Sequence, residues 1–207
     1  KNKIGTFYDP KLVIIDTEYL KTLEQRQINS GYCEIFKHSL ISKENSKFEY
    51  LMDCDEINFS LDIIINSINI KNNFVVVDKY EKKLRKGLNF GHTIGHAIET
   101  HFMSSDKKLL HGEAIAIGII IESYLSKLMY GFDIEKVDKI KSHLLTLFPK
   151  VKFNSSSINN IIKMMEHDKK NKDKQVNFIL LSDIGKLIFD VNVPKSTILK
   201  AFEYYSE

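Results

Sequence analysis

The chain has 207 residues, 43% hydrophobic and 28% charged, with a formal net charge of +3, which suits one good-sized core plus a small appendage. That charge is too mild and too scattered for a nucleic-acid surface, and the longest apolar run, residues 114–121, falls far short of the roughly 20 needed to span a bilayer. Cys33 and Cys54 form no paired-thiol motif and no secretory pattern precedes the first motif, so the expectation is a cytoplasmic protein with neither nucleic acid nor membrane as partner.

Residues 12–15, a β-rich run after Pro10, read as a short strand, and Asp16 or Thr17 caps a short helix after it. Over residues 24–42 the positions Ile28, Tyr32, Ile35, Phe36, Leu40 and Ile41 repeat at helical spacing, which places Glu34 and Lys37 together on another face. Residues 47–53, 57–70 and 72–81 also read as helices, although Phe74 to Val77 has strand propensity. Gly87, Gly91 and Gly95 recur every four residues. Each weakens a helix by about 1 kcal/mol relative to Ala, yet each also lets a neighbour or ligand approach closely.

His92, His96 and Glu99 fall at i, i+4 and i+7, so one helical face carries two imidazoles and a carboxylate. Two histidines one turn apart can share a cation, and the spacing alone suggests a zinc pair. Thr93 stands where a helical metalloprotease needs its Glu base, which disfavours peptide hydrolysis. A His pair on a helix is often only a hydrogen-bonded structural feature. His111, beside Gly112 at the start of a long apolar helix, shifts the balance towards metal chemistry because a tight turn can present a ligand.

Residues 112–129 form that apolar helix, and residues 133–147 another that ends before Pro149. After the Asn- and Ser-rich residues 154–157, a helix over 158–166 leads into the basic run 167–174, whose plain reading is a solvated loop. Residues 176–181 and 186–191, separated by a turn ending at Gly185, give the clearest hairpin signal. Pro194 starts a final helix.

With these residues in view, the chain resembles the 3-dehydroquinate synthases, which are sugar-phosphate cyclases of the shikimate pathway. The resemblance is carried by the opening Lys1-Asn2-Lys3-Ile4-Gly5-Thr6-Phe7, by Ser30-Gly31-Tyr32-Cys33-Glu34-Ile35-Phe36-Lys37, by Leu88 through Glu99, and by His111-Gly112-Glu113. Lys71, Glu81 and Arg85 precede Asn89 at the family's spacing, and Asp168-Lys169-Lys170 resembles a late family element. It implies a mainly α fold: a helical metal- and substrate-binding domain over 17–207 with a small β-hairpin and a short N-terminal strand remnant. Residues 1–16 are then the end of an NAD-binding domain, whose Gly-rich fingerprint occurs nowhere in the chain.

The resemblance implies conversion of 3-deoxy-D-arabino-heptulosonate 7-phosphate to 3-dehydroquinate and phosphate, with NAD and zinc or another divalent cation such as cobalt. It assigns the metal to Glu34, His92 and His111, and general acid and base work to Glu81 and His96, so that His96 is not a ligand. Contacts to the anionic sugar phosphate fall to Asn2, Lys37, Lys71, Arg85, Asn89 and Lys169 or Lys170. Lys1, Tyr19, Leu20, Lys21 and Thr22 resemble cofactor contacts. A homodimer is implied, and these residues alone are expected to lack activity because most of the NAD site lies elsewhere. The alternatives are another sugar-phosphate cyclase, a metal-dependent alcohol or glycerol dehydrogenase, and a non-catalytic partner-binding domain.

Overall fold

The computed structural model describes residues 8, 10–53, 60–103, 105, 108–166 and 176–207. Lys1, Asn2, Cys54 and the whole basic run 167–174, with Lys169 and Lys170, lie outside them. Among the described residues the chain runs through α1 (Gln25–Ile41), α2 (Asn45–Asp53), α3 (Leu61–Val77), α4 (His92–Phe102), α5 (His111–Tyr130), α6 (Ile134–Leu147), α7 (Ser155–Glu166), the strands β1 (Asn177–Asp183) and β2 (Lys186–Asn192), and α8 (Lys195–Ser206). Short 3-10 helices occupy Thr17–Thr22 and Leu84–Asn89.

The centre is α5. It is apolar on all sides, so it is stable only when surrounded, and α1, α4, α6, α8 and β1 pack against it. Ile115, Ile119, Ile120 and Ile121 are essentially inaccessible to solvent, each burial contributing about 1.5–3 kcal/mol. Helices α3, α6 and α7 begin where a side chain accepts an orphan N–H: Ser60 takes that of Ile63, Asp133 that of Glu135 and Asn154 that of Ser157. Gly131, with φ of 72°, ends α5 in the left-handed region. The two strands pair antiparallel with Asp183 opposite Lys186. The hairpin is anchored by Gly185 N–H donating to the Leu40 carbonyl and by Leu181 N–H donating to Ser126 Oγ.

Two elements differ from the sequence reading. Leu12 to Ile15 are extended but exposed, and no described strand pairs with them; a strand needs a ladder partner, whatever its propensity. The helices expected over 57–70 and 72–81 are one continuous helix, α3, that stops at Asp78. There the Asp78 carboxylate accepts the N–H groups of Lys82, Lys83 and Arg85. This local alternative to helical bonding turns the chain back and leaves Glu81 with φ of 55°.

Glu122 is the one carboxylate of α5 with no solvent exposure. Burial pushes its pKa up to about 8, outweighing the N–H groups of Ile94, Gly91 and Thr93 that favour the anion. Because the folded value lies above the ordinary one, its contribution is fully present below about pH 4.5 and is lost as pH rises through about 8. Urea unfolding should therefore show stability falling across that window, by on the order of 4 kcal/mol from this group. The slope should flatten in Glu122→Gln, and an unchanged slope would show that the carboxyl does not titrate there.

Candidate metal and substrate site

The site forms where the start of α4, the start of α5 and the middle of α1 meet. His92, His96 and His111 each bring one ring nitrogen within 4.8 Å of the others. The His92 and His96 rings stand edge-on with centroids 5.0 Å apart, and the His96 and His111 centroids are 5.6 Å apart. From α1, Glu34 Oε1 lies 3.4 Å from His92 Nε2 and 3.8 Å from His111 Nε2. Its other oxygen, Oε2, accepts from Lys37 Nζ at 2.6 Å.

The hydrogen bonds settle the tautomers. His92 Nδ1 faces the Phe90 carbonyl at 3.1 Å, and His111 Nδ1 faces Glu99 Oε2 at 3.2 Å. Both partners only accept, so both Nδ1 atoms carry hydrogen and both Nε2 atoms present lone pairs when the rings are neutral. Burial holds His92 below its ordinary pKa despite the opposing pull of Glu34. Burial also pushes Glu34 up, but His92 and Lys37 outweigh it and hold the carboxyl well below the usual range. Neighbouring His38 is pushed down to about 3, chiefly by burial, and its Nδ1 lies 2.7 Å from Ser67 Oγ.

Glu34 Oε1 is buried and has no hydrogen-bond partner. An ionised oxygen in that position is costly unless a cation meets it. Two donors ~2.0–2.2 Å from one tetrahedral zinc stand ~3.3–3.5 Å apart, and the Glu34–His92 separation has that value. One oxygen and two imidazole nitrogens are a donor set that suits a divalent cation and leaves coordination positions open. The residues present therefore fit a metal.

The residues expected to contact substrate divide. Lys37 is buried and bonded to Glu34. Lys71 on α3 is close enough for its charge to act on Lys37 and His38. Asn89 Nδ2 donates to Glu81 Oε1 at 2.6 Å, so the two stand together on the segment that enters α4. Glu81 is a non-glycine residue in the left-handed region, a kind of backbone strain that collects at functional sites. Arg85 is anchored through its guanidinium to the Lys79 carbonyl. Tyr19 to Thr22 form a short exposed helix with local bonds, Lys21 to Glu18 and Thr22 to the Tyr19 carbonyl.

Three supporting residues, Arg26, Glu113 and Ser30, were given no role in the sequence reading, although Ser30 and Glu113 stand in its motifs. Arg26 grips Glu113 with two bonds, Nε to Oε1 at 2.6 Å and a terminal nitrogen to Oε2 at 2.8 Å. Glu113 in turn accepts from Leu110 N–H at 2.7 Å, which fixes the turn presenting His111. The fit of Ser30 Oγ to Gly112 N–H at 2.9 Å braces the same turn. A Glu two residues after a motif His at a helix start was the available signal. Glu99 was visible on the His face, but its partner was not. Glu99→Ala is expected to weaken cobalt(II) binding by ~10–100-fold in a calorimetric titration; unchanged affinity would mean that His111 needs no orienting carboxylate.

Residues 31–171 match the family model described as 3-dehydroquinate synthase C-terminal, and residues 1–30 match that described as 3-dehydroquinate synthase N-terminal. A 3-dehydroquinate synthase of Parabacteroides distasonis is 39% identical over 210 residues, covering 100% of this chain and 60% of that protein. The chain thus spans about 60% of the length of this relative. Among solved structures, a 2-epi-5-epi-valiolone synthase from Streptomyces hygroscopicus with NAD+ and Zn2+ bound matches all of the chain and 58% of its own, at 23% identity and a TM-score of 0.77. A 2-deoxy-scyllo-inosose synthase complexed with carbaglucose-6-phosphate, NAD+ and Co2+ matches 99% of the chain and 58% of its own, at 27% identity and a TM-score of 0.76.

Proposed function

Because the chain belongs to the 3-dehydroquinate synthase family, we propose that the protein it forms converts 3-deoxy-D-arabino-heptulosonate 7-phosphate into 3-dehydroquinate and phosphate, using NAD and a divalent cation. The observation that carries this reading is the buried Glu34 Oε1, which has no hydrogen-bond partner and faces the ring nitrogens of His92 and His111. Glu34, His92 and His111 hold the cation, with Glu99 and the Phe90 carbonyl fixing the rings. When bound, the cation makes a substrate hydroxyl more acidic and NAD accepts and returns hydride.

The chain's own residues do the rest. His96, within ring distance of both ligand histidines, is left to move a proton at the substrate hydroxyl. Glu81 serves as the second proton carrier, its Oε1 held by Asn89. The substrate is an anion with a carboxylate and a phosphate, so Lys37, Lys71 and Arg85, with Asn89, Asn2 and Lys169 or Lys170, provide its cationic and polar contacts. The sugar phosphate analogue bound by the 2-deoxy-scyllo-inosose synthase supports that ligand class. Tyr19 to Thr22 and Lys1 contribute to NAD binding in this reading, with most of the NAD site supplied by the remainder of the enzyme.

Among the described residues no helix is long and apolar enough to cross a membrane. A cytoplasmic homodimer, inactive as the isolated 207-residue segment, completes the reading. The test is phosphate release from 3-deoxy-D-arabino-heptulosonate 7-phosphate by the intact enzyme. Release that requires both NAD and zinc is the expected result. A folded, metal-loaded enzyme that releases none would shift the reading to another cyclase substrate or to polyol oxidation.

A further inference from the structure

We propose that Glu122 is a positioning residue of the metal site: from inside α5 it caps the start of α4 and thereby sets where His92 and His96 stand. The inference rests on the metal-site reading above and extends it to a residue outside the family motifs. The first amides of any helix lack intrahelical acceptors, and Gly91, at the capping position of α4, has no side chain to meet them. Glu122 does so from the neighbouring helix. Its Oε2 accepts from Gly91 N–H at 2.7 Å and its Oε1 from Ile94 N–H at 3.0 Å. In a capping box two side chains divide these duties, the cap residue serving the third amide and a Glu reaching back to the cap amide. Here one buried carboxyl serves both.

The consequence reaches His92 directly because it lies between the two bonded amides. Its backbone is held by Glu122 on either side, and its ring by the Phe90 carbonyl just before the cap. Gly118, one turn earlier on the same face of α5, brings the helices together so closely that a Cβ there would sit 2.0 Å from the Gly91 carbonyl oxygen. Contact and cap thus hold the histidine-bearing turn at a fixed height against α5. The Glu122 oxygens face only backbone amides, so the effect on the metal is transmitted through position.

The test is a cobalt(II) titration of the intact enzyme, read by the visible d–d bands, for wild type, Glu122→Ala, Glu122→Gln and His92→Ala. Glu122→Ala is expected to bind cobalt at least ~10-fold more weakly with altered band positions. Glu122→Gln, which keeps one accepting oxygen, should fall between it and wild type. A general loss of stability would not grade the band positions in that order. If Glu122→Ala fails to fold, Glu122→Gln against wild type carries the comparison. Wild-type affinity and spectrum in a folded Glu122 variant, with binding still lost in His92→Ala, would overturn the positioning role alone. No cobalt binding by wild type would overturn the metal reading, and this inference with it.

Discussion

Replacing His92 by Ala is expected to reduce phosphate release by the intact enzyme by more than ~10³-fold and to abolish zinc dependence. Loss of an outer partner of a metal ligand already costs 10–100-fold, and His92 is proposed here as a direct ligand, its Nε2 3.4 Å from Glu34 Oε1. The loss of two donors' geometry compounds the loss of one, because Glu34 Oε1 then has only His111 beside it. Folding should survive, since the amides of Gly91 and Ile94 remain held by Glu122. His96→Ala provides the contrast: metal content retained, turnover reduced ~10²–10⁴-fold as expected for a lost proton carrier. Metal analysis and a coupled phosphate assay on both variants decide the point, and equal metal loss in both would remove the distinction between ligand and acid–base histidine.

Gly118→Ala should damage the fold severely for so small a substitution. Helix propensity alone favours Ala over Gly by about 1 kcal/mol in the middle of α5. Against this, the added carbon would lie 2.0 Å from the Gly91 carbonyl oxygen and 2.8 Å from the Gly95 amide nitrogen. Both are backbone atoms that cannot swing aside, so overpacking wins, with a net cost of about 3 kcal/mol or more. For a chain of this size that corresponds to a fall of about 10 °C in Tm. A variant melting at the wild-type temperature would mean that α4 and α5 do not approach so closely.

The helices and hairpin were legible because their signals are local. Periodic apolar residues marked α1, the uninterrupted run of 114–121 marked α5, and Gly185 marked the hairpin turn. Glu34 and Lys37 fall one turn apart, and their ion pair follows from that spacing alone. What was hidden depends on elements distant in sequence. Residues 12–15 have strand propensity but no described partner, and α3 ends where Asp78 captures amides four to seven residues ahead. Glu99 was readable as a polar position on the His face, but its meeting with His111 depends on where α5 begins. Glu122 carried a subtler signal, a carboxylate that directly follows the apolar run of 114–121 in the middle of α5. Such a group persists in a core only when backbone or side-chain donors meet it.

The spacing of His92 and His96 points to a three-histidine donor set with His111, whereas the unpartnered oxygen of Glu34 points to Glu34, His92 and His111. Cobalt(II) titration of Glu34→Ala beside His96→Ala in the intact enzyme separates the two most directly. Loss of binding in Glu34→Ala with near-wild-type affinity in His96→Ala is the predicted result. Retention in Glu34→Ala with loss in His96→Ala would contradict the account and make the site a three-histidine centre.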